Sequence, residues 1–261
     1  MSDFLYQVLA LIIAVIVVHS IWVTVVLPKA WALLDETAAR QARGEKAEHP
    51  RSIYIILKDY EQESTVILSL WALAIMGLKA KRLKDERALL KKGSLLEVTP
   101  GISILPEDTR KYARSLQALP ESTRQYLLPR VLVTALQRFG STRNVQDVAG
   151  AVGDVCQAES DRLDSEMAMI RYIIWAIPSI GFLGTVRGIG DALSYVQAAV
   201  QGNVIGVTIS LGVAFNSTLV ALMLSLFIMF LLHQLQLVQE RLVLDTRNYC
   251  DLNLLQHLQV R

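Results

Sequence analysis

Apolar residues are gathered into blocks along this chain, with polar stretches between them. The first block is Phe4–Leu27 (FLYQVLALIIAVIVVHSIWVTVVL), the second Thr65–Leu78 (TVILSLWALAIMGL). Two more, Trp175–Leu193 and Gly206–Leu232, stand nearly back to back, joined by a short link without charges. About 20 apolar residues at 1.5 Å rise cover the roughly 30 Å hydrocarbon core of a bilayer. The first block and the last two therefore predict membrane spans. The second, with 14 residues, fits a buried or interfacial helix unless Lys79 and Lys81 snorkel and extend it.

The fold class expected is an all-α membrane protein with three or four transmembrane helices, four preferred, and long helices extending into a cytoplasmic helical domain. Residues 1–27 are a retained first span, since the block is too long for a signal peptide, lacks a basic leader and ends in Pro28-Lys29 without a small-residue cleavage site. Residues 28–64 are a polar connection and 65–78 the second apolar segment. The basic run Lys79–Lys92 places 79–169 in the cytoplasm by the positive-inside rule. Residues 170–232 hold the paired spans and 233–261 a cytoplasmic C-terminal helix. If 65–78 spans, both termini are cytoplasmic; if not, the N-terminus is external. The basic residues of 28–64 favour the second, and the hydrophobicity of LSLWALAIMG favours the first.

Within 79–169, Pro100, Pro106, Pro120 and Pro129 punctuate the first part. From Asn144 onward Val145, Val148, Ala149, Val152, Val155 and Cys156 recur at helical spacing, with Asp147, Asp154, Asp161 and Asp164 opposite them on a solvated face. No turn signal follows before Pro178, so one helix is expected to run from there into the membrane, and the tail after His233 to pack on it.

Composition narrows the function. Hydrophobic residues make up 52% and charged ones 19%, and the net charge of +2 shows no basic face for nucleic acid. The two cysteines, Cys156 and Cys250, are far apart and read as reduced thiols. Glycine-lysine phosphate loops, HExxH and nucleophile elbows are lacking, so no enzyme, metal site or cofactor is expected. His19 lies inside the first span and is read as a neutral imidazole; His49, His233 and His257 read as surface residues.

The paired spans carry the chemistry. Gly181, Thr185, Gly188 and Ala192 share one face of the first, widened by Gly184. Ser210, Ala214, Ser217, Thr218, Ala221 and Ser225 form a stripe on the second, with Asn216 beside it. Small faces let membrane helices approach closely. Packing explains the glycines and alanines but less well the hydroxyls gathered on both helices, since unpaired polar groups in hydrocarbon cost several kcal/mol. The stripes hold no mid-depth carboxylate. Arg187 and Asp191, one turn apart, can form a structural pair or a gate. Pro178 breaks the backbone ladder and can shape packing or act as a hinge.

The stretch IPSIGFLGTVRGIGDAL, followed by LGVAFNSTLVALMLS, resembles the paired pore-lining spans of the MotA/TolQ/ExbB proton-channel family. The run Gly181–Gly188 is its most specific part, and the resemblance covers roughly 144–245. It implies a homopentamer around a dimer of a single-span ExbD/TolR/MotB-like partner, whose membrane aspartate accepts the proton (or sodium ion). Ion flow then drives rotation, and the work goes to another machine in the bacterial inner membrane: flagellar rotation, outer-membrane transport, envelope maintenance, surface motility or phage defence. On this resemblance Thr185 is the hydroxyl facing the partner aspartate, Ser217 and Thr218 fall near the hydroxyl position of the last span, and Pro178 opens the motif. Arg187 departs from it, standing where an apolar or aromatic residue is usual, and Asn216-Ser217-Thr218 is more polar than the common pattern. A self-contained transporter would instead show internal repeats or a mid-membrane charge. In a passive scaffold the stripes would only pack.

Overall fold

The computed structural model describes residues 2–43, 52–92, 95–96 and 103–259. Lys46, His49, Arg51 and Pro100 lie outside them. The chain is 88% helical, with no strand among the described residues. In order, the helices are α1 (Ser2–Ile21), a π-helical turn (Trp22–Val26), α2 (Leu27–Ala42), α3 (Ile53–Leu57), α4 (Tyr60–Lys92), α5 (Thr109–Gln117), α6 (Glu121–Arg124), α7 (Leu127–Thr142), α8 (Val145–Glu166), α9 (Ala168–Ser194), α10 (Val196–Val200) and α11 (Ile205–Asn253). A 3-10 turn, Leu255–His257, follows. Three stretches are long and apolar enough to cross a membrane: Phe4–Thr37, Val145–Ser194 and Ile205–His257. The 14-residue apolar run is not among them; it lies inside the 33-residue α4. Backbone contacts divide the chain into two compact units, Met1–Gly77 with Met169–Leu232, and Leu78–Ala168 with His233–Arg261.

In the first unit, α1 runs antiparallel to the first half of α4. Tyr6 hydroxyl donates to the Ala74 carbonyl (3.3 Å), Trp71 Nε1 to that of Gln7 (2.8 Å), and His19 Nδ1 meets Glu63 Oε1 at 2.7 Å. His19 is thus one half of a pair with a carboxylate. Val18, Trp22 and Val26 form a core against Leu57, Val66 and Ile67. Helices α9 and α11 are a second antiparallel pair, set closely because glycine faces them together. A Cβ added at Gly188 would lie 2.7 Å from the Ser210 carbonyl oxygen and 2.8 Å from the Ala214 nitrogen; at Gly181 it would collide with Ala221. Phe182, Leu183, Phe215, Leu219, Leu222 and Leu226 point outward and stay exposed, an apolar face that suits lipid or another membrane helix.

Pro178 lies inside α9, which continues through it. Proline has no N–H, so the carbonyl of Ile174, four residues earlier, loses its ladder donor. Ser225 of α11 replaces it, its hydroxyl donating to Ile174 O at 3.1 Å. Hydroxyl side chains on neighbouring helices are the usual remedy for proline inside a membrane.

In the second unit, Leu127, Val131, Leu132, Leu136 and Phe139 of α7 pack with Val148, Val152 and Cys156 of α8 and with Cys250, Leu254 and Leu258. The turn between α7 and α8 uses Arg143 in the left-handed region (φ 50°), and Asn144 caps α8 by accepting from the Gln146 N–H at 2.9 Å. The acids Asp147, Asp154, Asp161 and Asp164 are exposed on the opposite face. Glu159, 3% exposed, is held by Arg130 (2.9 Å) and Arg162 (2.6 Å), and Glu166 by Lys79 (2.6 Å). Two expectations change in detail. The helix from Asn144 is interrupted once, at the fully buried Met167, whose N–H turns to Asp164 O. The tail stops being helical at Asn253, and Leu258 instead forms a parallel bridge with Ile104.

Two outcomes are expected of the full chain unfolded in detergent. Ser225→Ala should cost about 1–3 kcal/mol by orphaning a buried carbonyl. In a Pro178→Ala background, where the ladder N–H returns, the same change should cost much less, and equal costs in both backgrounds would disprove the compensation. The second concerns Glu86, whose carboxyl accepts from the Leu127 N–H and is pushed above the usual carboxylate range, first by burial and also by the charge of Glu159. A raised carboxyl pKa favours the fold below the unfolded value and works against it as pH rises through the folded one. Glu86→Gln should therefore stabilise the chain at pH 7, with the gain shrinking on acidification.

Candidate functional site

Close approach of α9 and α11 brings their hydroxyls into contact. Thr185 Oγ1 and Thr218 Oγ1 are hydrogen-bonded to each other. Thr185 Oγ1 also lies 3.1 Å from the Ala214 carbonyl, and Thr218 Oγ1 lies 3.1 Å from that of Gly181. Two hydroxyls thus share two protons among more acceptors than they can serve at once, an arrangement in which proton positions can exchange. Ser217, 1% exposed, donates to the Val213 carbonyl at 2.8 Å. Asn216 is half-buried and stands outside this set of bonds.

Gly184 is the point where a third helix joins. A side chain there would meet Ser217 Oγ at 2.6 Å and Glu61 Cγ at 3.2 Å. Glu61 comes from the first turn of α4 and is 2% exposed. It takes the Arg187 guanidinium in a two-pronged grip, Nε to Oε1 at 2.7 Å and Nη2 to Oε2 at 2.8 Å, the geometry that favours strong, oriented pairing. The guanidinium also stacks over the Tyr60 ring at 4.7 Å and faces Asp59 at 3.6 Å. Asp191, the partner expected from spacing, is only a secondary one at 4.0 Å. Next to Glu61, Gln62 Nε2 donates to Ser217 Oγ at 3.3 Å. So Thr185, Ser217, Thr218, Gly181, Gly184, Gly188 and Arg187 come together, Asp191 sits at the edge, Pro178 lies further along α9, and Asp59, Tyr60, Glu61 and Gln62 are additions.

The sequence reading missed a buried carboxylate at the level of the stripes because it looked for one on the paired spans alone. A signal was present in α4. Glu61, Thr65, Ser69, Ala72 and Met76 recur three or four apart and are all buried, the same small and hydroxyl pattern as on α9 and α11, continued by a carboxylate.

Residues 124–248 match the model of the MotA/TolQ/ExbB proton channel family. No curated protein and no solved structure gives a significant match. The match runs from the end of α6 through most of α11 and includes all of α9 and its contacts with α11; α1 to α4, with Glu61 and Gln62, lie before it. Over those residues the chain is similar to the MotA/TolQ/ExbB proton channel family. With three helices able to cross a membrane, it is a multi-pass membrane protein.

The ion pair gives a direct prediction. Arg187→Gln strands a buried carboxylate and should destabilise the chain by about 3–5 kcal/mol, read by thermal unfolding in detergent. Adding Glu61→Gln should recover most of that loss. Asp191→Asn should cost far less than either single change at the Glu61–Arg187 pair.

Proposed function

We propose that the chain is the multi-span subunit of an ion-driven membrane machine. Five copies surround two copies of a single-span partner bearing a membrane aspartate, and proton (or sodium) flow across the bacterial inner membrane is coupled to mechanical work. The observation that carries this reading is the Thr185–Thr218 hydroxyl pair, set where α9 and α11 meet inside the family match. A transferred proton needs oxygen atoms along its route, and hydrocarbon supplies none. Thr185 serves in this reading as the hydroxyl nearest the partner aspartate, with Ser217 and Thr218 beside it.

Four spans with both termini in the cytoplasm fit the arrangement best. The antiparallel contacts from Tyr6–Ala74 to His19–Glu63 run α4 alongside the first span, which supports counting 65–78 as a second crossing. Residues 79–169 and 233–261 then form the cytoplasmic domain.

A passive scaffold has one observation in its favour: the three hydroxyls all find backbone carbonyls. The two readings separate experimentally. Thr185→Val should lower ion-driven work by about tenfold or more, the equivalent of one lost hydrogen bond to a charged species, with assembly intact and Thr185→Ser largely active. Native mass spectrometry should give five copies to two of the partner. Undiminished work in a chain carrying Thr185→Val, Ser217→Ala and Thr218→Val together would leave the scaffold.

A further inference from the structure

Among the described residues, two buried side-chain polar atoms have no hydrogen-bond partner, Gln62 Oε1 and Trp22 Nε1. Gln62 is 1% exposed and Trp22 4%. One is an acceptor and the other a donor, and Val66, one turn beyond Gln62 on α4, packs against the cluster to which Trp22 belongs. The orientation of the Gln62 amide is fixed by its neighbour. Ser217 commits its only proton to Val213 O, so towards Gln62 it can only accept, and the amide nitrogen must face it. The carbonyl oxygen is thereby turned away from Ser217 and left seeking a donor. Leaving such a group bare is costly, and polar sites in protein interiors hold water where apolar ones stay dry.

The donor does not come from the nearby charges. Both oxygens and the guanidinium of the Glu61–Arg187 pair are engaged with each other, and Lys58 is taken by Asp59 at 2.8 Å. A metal ion fits poorly, since no group of three His, Cys, Asp or Glu side chains among the described residues is placed to hold one. A hard cation needs six or more oxygens, where Gln62 offers one. Water, or water carrying an extra proton, is the ligand class that matches one free carbonyl. Asp59, Glu61 and Asp191 against Arg187 and Lys58 also leave this end of the bundle with negative charge in excess, which favours a cationic intermediate.

We propose that Gln62 holds an internal water that relays protons between the acidic mouth around Arg187 and the paired hydroxyls of Thr185 and Thr218. The water donates one O–H to Gln62 Oε1, accepts the incoming proton on a lone pair and releases its other proton onward. No bond to the protein forms or breaks, and the water is regenerated. This rests on the channel reading above and adds to it a wall, α4, that lies outside the family match.

The test begins with the full chain alone in lipid bilayers. Water-to-protein polarisation transfer in solid-state NMR should reach the Gln62 side-chain amide as fast as it reaches exposed side chains. Transfer as slow as that to the buried Ile173 would overturn the proposal. In vesicles of the native membrane with a trapped pH dye, Gln62→Leu should slow proton uptake about tenfold at equal protein level. Gln62→Glu, which keeps acceptor oxygens, should retain most of it. Undiminished uptake in Gln62→Leu overturns the relay even where the water is seen. Failure of the channel reading itself shows elsewhere, in stoichiometry and in Thr185→Val, and leaves the hydration signal of the isolated chain unaffected.

Discussion

Inside hydrocarbon no solvent is available to a carbonyl, a hydroxyl or a charge, so each must be satisfied by the protein. Much of the first unit follows from that constraint. Pro178 removes a donor from α9, and Ser225 supplies one from α11. Hydroxyls on both helices turn to the carbonyls of Gly181, Val213 and Ala214. The two bonds that cross between helices, Thr185 to Ala214 and Thr218 to Gly181, form because Gly181, Gly184 and Gly188 let the backbones approach, while Ser217 turns to Val213 within α11. The glycines and the hydroxyls are therefore one device: the first sets the distance that the second needs.

The second unit solves a different problem. Its core is an ordinary hydrophobic one, built by α7 and α8 with the end of the chain, and its charges pair at the margin of that core. Glu159 shows the pattern, a nearly buried carboxylate with two arginines that remain largely exposed. Such an arrangement keeps the carboxylate satisfied while the arginines retain most of their hydration, which limits the desolvation cost. Cys250 belongs to the same interior, which accounts for a thiol that the chain's local polarity alone would have placed at the surface.

What the sequence made legible was whatever a single helix displays by itself. The stripes on α9 and α11 and the solvated acids of α8 each repeat at helical spacing on one element, and the structure turns the first inward and the second outward. Partners between distant elements were not legible. Arg187 looked towards Asp191, four residues away, because nothing in a linear reading favours Glu61, which is 126 positions distant. The bridge between Ile104 and Leu258 escaped notice for the same reason. The pause at Met167 left no turn residue to read; it consists in the tightening of one hydrogen bond, from Met167 N–H to Asp164.

Arg187 and the short apolar run of α4 are two sides of one fact. An arginine inside a span is costly, about 2.5–3.5 kcal/mol at its centre on insertion scales, so Arg187, towards the end of α9, persists where a carboxylate meets it. Glu61 does so only because the first turn of α4 lies level with Gly184 and Ser217. A helix that delivers Glu61, Gln62 and Thr65 to that level presents polar residues to the bundle over part of its length. Its apolar run is correspondingly brief, and hydropathy undercounts it. The 14 apolar residues then measure how much of α4 needs lipid-compatible side chains. The rest of its length is set by the turns that reach Arg187, which is why α4 is missing from the apolar three.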